Sequence, residues 1–363
     1  HHRVKNNLQV ITSLLNLQAN NVDDPRVRDI LNESQNRVRA MALTHQLLYE
    51  RKYFSRMDLG DYLDRLAQSN IGDLLADLPG VASSYFGPNA GRPVIRGLDG
   101  DRIWISDGRH TVVLDPYLTR PGLLASLTRP LVPDTALIAR LIPEADDVLI
   151  GHAHYDHILD APDLCRQTGA RLIGSSTAVQ VGIAAGLPPE QLLATAGRED
   201  IASGPWTVRG LPSLHGRIFG RTPFPGDLHA PPPWPPRMAD LPHGLVLNWL
   251  VDTGGLRVMH IDSADFIDTE LAGHRCDIVC LCAIGRQARP NYVRDIVKHL
   301  RPKWIIPCHW DTMITPVEAE PDLLPGVDLP GFLREIEAEG VTPLLTPILG
   351  RQLFDQPGDA GPA

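Results

Sequence analysis

The apolar run Val148-Leu149-Ile150 leads straight into Gly151-His152-Ala153-His154-Tyr155-Asp156-His157, so three imidazoles and one carboxylate fall within six residues at the expected end of a strand. Side chains of these types crowded together converge on something they bind. Borderline nitrogen and oxygen donors suit zinc first, with iron or manganese as alternatives. In His152-x-His154 the period of two sends both rings to one side of an extended segment, whereas Asp156 and His157 sit on the following turn and point to a neighbouring position. Two adjacent metal ions are implied. Downstream, His215, Asp262 and His309 each follow an apolar stretch that reads as a strand, and strand ends of an open α/β sheet are where sites are built.

The elements that must position these residues alternate between short apolar strands and helices from about Ile103 onward. Strands are expected at Thr111–Leu114, Val148–Ile150, Arg171–Ile173, Leu245–Val251, Arg257–Ile261, Asp277–Leu281 and Trp304–Ile306, which argues for a layered α/β domain over 103–363. Residues 1–70 are different: Val4, Leu8, Ile11 and Leu15 form a stripe of helical period, and Asp24-Pro25 starts a second helix bearing Val27, Leu31, Val38, Met41 and Leu48. A helical hairpin is expected there. Residues 71–102 are crowded with Pro and Gly, with one short strand at Val94-Ile95 and a turn at Asp99-Gly100, and read as a connector. The segment from Phe219 to His243, with Phe224, His229, Trp234 and a run of prolines, either roofs the site or is a stiff surface excursion.

Composition narrows the function classes. The 363 residues carry a net charge of −9, and the charge is uneven: residues 1–70 hold 10 Lys and Arg against 8 Asp and Glu, leaving 24 against 35 in the rest. An acidic protein is not generally attracted to nucleic acid or anionic membrane, so a small-molecule substrate is the expected partner. No apolar stretch approaches the roughly 18 residues of a membrane helix. Five cysteines are too few and too clustered for a disulfide framework, which points to a reduced, cytoplasmic setting. Cys280 and Cys282 are expected on the same face of a buried strand. A chain that begins at His1 and not Met is expected to be a fragment.

The order His-x-His-x-Asp-His, a distant His, an Asp and a last His resembles that of the metallo-β-lactamase-fold hydrolases, over about residues 103–354. The resemblance implies an αββα sandwich preceded by the α-helical hairpin. It also implies one divalent ion on His152, His154 and His215, a second on Asp156, His157 and His309, and Asp262 bridging both, with Asp156 and Asp262 needed for catalysis. Asp115, in Val113-Leu114-Asp115-Pro116, matches a strand-end Asp that supports the ligands from behind. Two such ions share a hydroxide that attacks a small ester, lactone, amide or phosphodiester. Pro307-Cys308-His309-Trp310-Asp311-Thr312 looks most like the branch with ascorbate-phosphate lactonases and N-acylphosphatidylethanolamine phospholipase D.

Two further resemblances suggest a chimeric chain. His1-His2-Arg3-Val4-Lys5-Asn6-Asn7 and Glu33 to Ala42 are similar to the dimerisation and phosphoacceptor hairpin of a sensor histidine kinase subfamily, over about 1–68. This implies His2 as phosphoacceptor, a homodimer through residues 1–68, and a response regulator or separate kinase as partner. The alternative function is thus a phosphorelay or dimerisation module. Residues 73–102 look similar to part of a TonB-dependent receptor plug, entering where the hydrolase would have lost its first strand.

Overall fold

A computed structural model describes residues 94–98, 102–218, 220–346, 349 and 352–354. The expected hairpin over 1–70, with His2, and most of the connector lie outside the described residues.

Two seven-stranded sheets face each other. We number the strands β1 (Val94–Leu98), β2 (Arg102–Ser106), β3 (Thr111–Leu114), β4 (Asp147–Leu149), β5 (Arg171–Gly174), β6 (Leu192–Ala194), β7 (Ile201–Ser203), β8 (Trp206–Ser213), β9 (Val246–Asp252), β10 (Arg257–Ile261), β11 (Ile278–Cys282), β12 (Trp304–Cys308), β13 (Thr342–Pro343) and β14 (Gln352–Leu353). The first sheet has the order β14-β1-β2-β3-β4-β5-β6 and the second β13-β12-β11-β10-β9-β8-β7. The central pairs β3–β4, β4–β5, β10–β11 and β11–β12 are parallel. Parallel neighbours need crossovers, and helices supply several of them: α1 (Leu123–Thr128), α2 (Thr135–Leu141), α3 (Tyr155–Ile158), α4 (Ala161–Thr168), α5 (Ser176–Ala184), α6 (Asp268–Leu271), α7 (Tyr292–Leu300) and α8 (Leu329–Ala338).

The strand period of two sorts the core into layers. Val112 and Leu114 on β3, and Ile278 and Cys280 on β11, pack between the sheets with Trp249 and Ile306. Val113 faces the other way, toward Ile138 of α2, Leu164 of α4 and Val181 of α5. Val279 and Leu281 likewise face Ile296 of α7 and Phe332 and Ile336 of α8. The result is the αββα sandwich expected from the sequence.

Three details differ from the sequence reading. The first sheet does not lack its edge: β1 pairs with β2 from Val94↔Ser106 to Leu98↔Arg102, and β14 pairs with β1. The antiparallel pairing of β1 with β2 makes part of the plug-like stretch a strand of this sheet. Several strands are displaced by one residue, as with Asp147–Leu149 in place of Val148–Ile150. Cys280 packs between the sheets, but Cys282, where β11 ends, belongs to the helix-side cluster beside Tyr292, whose hydroxyl donates to the Cys282 carbonyl at 3.0 Å. All five cysteines are buried, free thiols.

At the lower end of β4 the sheets are clamped by a polar group. Asp147 accepts from the Ser203 hydroxyl of β7 at 2.5 Å and pairs with Arg171 at 2.6 Å, while His110 lies 2.9 Å from Ser203. Near the upper end, Arg120 and Asp311 form a fully buried ion pair at 2.6 Å that joins the chain after β3 to the chain after β12. Removing one partner strands a buried charge, so Asp311→Ala should lower stability by about 3–5 kcal/mol. Urea unfolding monitored by tryptophan fluorescence checks this; a loss below about 1 kcal/mol would contradict it.

Candidate metal centre

The ligand-bearing loop begins where β4 runs out, and its backbone is pinned to the opposite sheet. The Trp249 indole donates to the Ile150 carbonyl at 3.0 Å, and the Leu247 N–H donates to the Gly151 carbonyl at 2.8 Å. Ala153 donates to the His243 carbonyl at 2.9 Å. The first two contacts reach the second sheet and the third reaches the loop before β9; together they fix His152 and His154. The chain then turns into α3, which carries Asp156 and His157 in its first turn. Asp262 follows β10, His309 follows β12, and His215 lies two residues past β8.

Every ligand named from the sequence arrives at one place. Donor atoms of His152, His154 and His215 lie within 4.8 Å of one another, as do those of Asp156, His157 and His309, and those of His152, His157 and Asp262 between the two sets. Asp262 Oδ2 is 2.6 Å from His152 Nδ1 and its Oδ1 is 3.1 Å from His157 Nδ1. His157 and His309 approach Asp156 Oδ2 at 3.6 and 3.5 Å. His215 Nδ1 donates to the Gly216 carbonyl at 2.7 Å, which leaves Nε2 as the ring's free donor of a lone pair. Asp115 stands behind the loop, accepting from the Gly151 N–H at 2.7 Å and lying 3.4 Å from His157.

Burial and pairing set the protonation states. Desolvation pushes the His154 ring down to about 2 and His215 down to about 3, and it lowers His152 as well. Burial by itself would raise Asp156 and Asp262. The imidazoles beside them overcome it: His157 and His309 hold Asp156, and His152 and His157 hold Asp262, well below the usual carboxylate range. Asp115 moves up, through its own burial and then the charge of Asp262. Neutral imidazoles beside ionised carboxylates are the donor set a divalent ion requires. The buried His154 Nε2 has no hydrogen-bond partner, so this set fits a metal and is poorly served without one.

Backbone strain concentrates at the same spot. Asp115 and His309, each directly after a strand, have φ of 47° and 53°, a region that non-glycine residues adopt at a cost of about 1–3 kcal/mol. Asp160 holds the turn after Asp115 by accepting the Thr119 N–H at 2.8 Å, together with that of Leu118.

A cleft of about 190 Å³ opens above the ligands. Pro223, Phe224 and Met238 line it, so this part of the 219–243 segment is a roof, whereas His229 and Trp234 do not reach the cleft. The roof is tied down by hydrogen bonds from His243 to the Phe224 carbonyl and from Leu131 to the Pro236 carbonyl, at 3.0 and 2.7 Å. Some residues escaped the sequence reading. His243 stacks on His215 with centroids 5.6 Å apart, and His260 lies 3.6 Å from Asp115. Nothing in the spacing of the Pro-rich segment marks His243. His260, on β10 two positions before Asp262, had the period of two as a signal.

Gly151 is the tightest point of the centre. A Cβ there would meet Asp262 Cβ at 2.8 Å and Oδ2 at 2.5 Å. Gly151→Ala should therefore displace Asp262 and weaken zinc binding by about 10–100-fold. Titration calorimetry with zinc checks this, and unchanged affinity would contradict it.

A model described as a beta-lactamase superfamily domain matches residues 110–310, and one described as a histidine kinase matches residues 1–72. Residues 73–109 lie outside both matches. A "UPF0173 metal-dependent hydrolase" of Anaeromyxobacter sp. (strain K) is 27% identical over 215 residues, covering 56% of this chain and 69% of that protein. One from Staphylothermus marinus is 26% identical over 248 residues, covering 66% and 86%. Among solved structures, Igni18, a metallo hydrolase of Ignicoccus hospitalis, is 16% identical with a TM-score of 0.47, covering 72% of this chain and 98% of that one. Since the first of these matches runs from the residue before β3 to the residue after His309, and so takes in every candidate ligand, the chain belongs to the β-lactamase superfamily, in its metallo-β-lactamase fold.

Proposed function

We propose that this metal-dependent hydrolase works with two divalent ions, zinc first among them, on a small ester, lactone, amide or phosphodiester. His152, His154 and His215 would hold one ion, Asp156, His157 and His309 the other, and Asp262 both. The observation that carries this reading is the convergence of five imidazoles and two carboxylates at the floor of one cleft. When bound, the ions supply a water acidified toward a pKa of about 7 and polarise the substrate oxygen. The protein does the rest. Asp156 and Asp262 offset the positive charge, and the Asp115 contact with Gly151 keeps the ligand loop in register. Phe224, Met238, Ile284 and Met313 exclude water and receive the apolar part of the substrate. The space is smaller than the about 300–1,000 Å³ of drug-sized sites, which favours a small substrate.

Metal analysis should find close to two ions per chain, and chelation should abolish hydrolysis of generic esters or phosphodiesters. Asp156→Asn and Asp262→Asn should each lower the rate at least about 100-fold while far-ultraviolet circular dichroism stays that of a folded chain. A metal-free preparation that takes up no ion on reconstitution refutes the proposal.

A second reading is favoured by the match of the histidine kinase description to residues 1–72. In it, residues 1–68 pair two copies of the chain by burying the stripe of Val4, Leu8, Ile11 and Leu15, and His2 takes phosphate from a separate kinase or response regulator. Light scattering should show a dimer that Leu8→Asp with Ile11→Asp converts to a monomer. Phosphotransfer from a complete kinase should label His2, and a monomeric, unlabelled chain overturns both parts.

A further inference from the structure

We propose that the hydroxyl of Ser263 donates a hydrogen bond to the substrate oxygen on which negative charge develops during cleavage. This rests on the hydrolase reading and adds to it a residue that touches the substrate without holding metal. Ser263 follows Asp262 just past the end of β10 and lines the metal cleft, yet only 6% of it is exposed. Its oxygen is held in place. The Gly216 N–H donates to Ser263 Oγ at 2.9 Å, and Gly216 in turn follows His215. Consecutive Cα atoms are about 3.8 Å apart, so the hydroxyl is anchored beside two candidate ligands that come from different strands. The two segments are closely packed: a methyl group on Gly216 would lie 3.1 Å from the Ala264 nitrogen.

A serine hydroxyl has one hydrogen to give and two lone pairs to offer. The Gly216 N–H takes up a lone pair, and among the described residues the Ser263 hydroxyl donates to no acceptor. Its hydrogen is therefore available to a group that enters the cleft. Apart from the candidate ligands, Ser263 and Tyr155 are the only described side chains of the lining with a hydrogen to donate, and the Tyr155 ring packs edge-on against Tyr117 at 5.7 Å in an apolar cluster. Ile218, Phe224, Met238, Ile284 and Met313 donate nothing. In such surroundings one oriented donor is worth more than it is in water, because a low dielectric strengthens its pull on a developing charge and its fixed position costs no reorganisation.

Ser263→Ala and Ser263→Thr test the donor in the zinc-loaded full chain, assayed with phenyl acetate and bis(4-nitrophenyl) phosphate and titrated calorimetrically with zinc and with butylphosphonate. The phosphonate is a tetrahedral anion that resembles the charge-bearing transition state. Ser263→Ala should lower kcat and weaken butylphosphonate binding, each at least about tenfold, while zinc affinity stays within about threefold of wild type. Ser263→Thr keeps the hydroxyl and should recover most of both losses. Unchanged kcat and phosphonate affinity in Ser263→Ala, or no phosphonate binding by wild type, overturns the proposal. A fall in zinc affinity that matches the fall in rate also overturns it, because Ser263 would then act only by holding Gly216 and His215. If neither ester is cleaved and phosphonate binding still depends on the hydroxyl, the donor stands and the hydrolase reading falls. If wild type and Ser263→Ala cleave the esters equally well, the hydrolase reading stands and the donor falls.

Discussion

Five imidazoles and two carboxylates buried in one place set the constraint that the rest of this structure serves. Each group alone loses hydration on burial, which drives an imidazole to its neutral form and a carboxylate toward protonation. Here the two effects part company. The rings of His154 and His215 are held neutral, while Asp156 and Asp262 stay ionised because imidazoles surround them. Such a cluster has lone pairs and negative charge converging on a small volume, and a divalent cation is the group that satisfies both.

No single element could assemble this set. The first sheet contributes the strand leading to His152 and its followers, and the second contributes His215, Asp262 and His309 from the ends of β8, β10 and β12. The ligands meet because the sheets are cross-linked at that end by the Trp249 indole and by the Leu247 hydrogen bond to Gly151, and because Arg120 and Asp311 tie the chain after β3 to the chain after β12. Rigidity of this kind also holds Asp115 and His309 in the left-handed region, since the surrounding packing must outweigh their strain.

The walls around the centre are chemically unlike one another. One side is the roof of Pro223, Phe224 and Met238, which comes from a long excursion between β8 and β9. Gly216, Ile218 and Ser263 form another part of the lining, and their neighbours Arg217 and Ala264 line a second pocket. Metal chemistry of this type is broad, so the walls decide which molecule reaches it.

The identity and order of the candidate ligands are legible in the sequence, because His152 to His157 are neighbours along the chain and the three distant candidates each follow an apolar strand. The layered α/β architecture and the positions of β3, β4, β5, β9, β10 and β11, to within a residue, follow from the same local pattern, whereas β2, β6, β7, β13 and β14 are not marked by it. Local pattern carries nothing about partners far away in the chain. The outer edge of the first sheet is made by Gln352–Leu353 pairing with Val94-Ile95, more than 250 residues distant. The stacking of His243 on His215, the approach of His260 to Asp115, the division of the two cysteines of β11 between opposite layers, and the pocket that joins Arg217 to Arg289 arise likewise from segments brought together only by sheet pairing and core packing. Ligand chemistry is a property of residue type and spacing, and can be read from the chain. The shape and charge of the space around the ligands depend on which segments fold against one another, so the tertiary structure alone decides them.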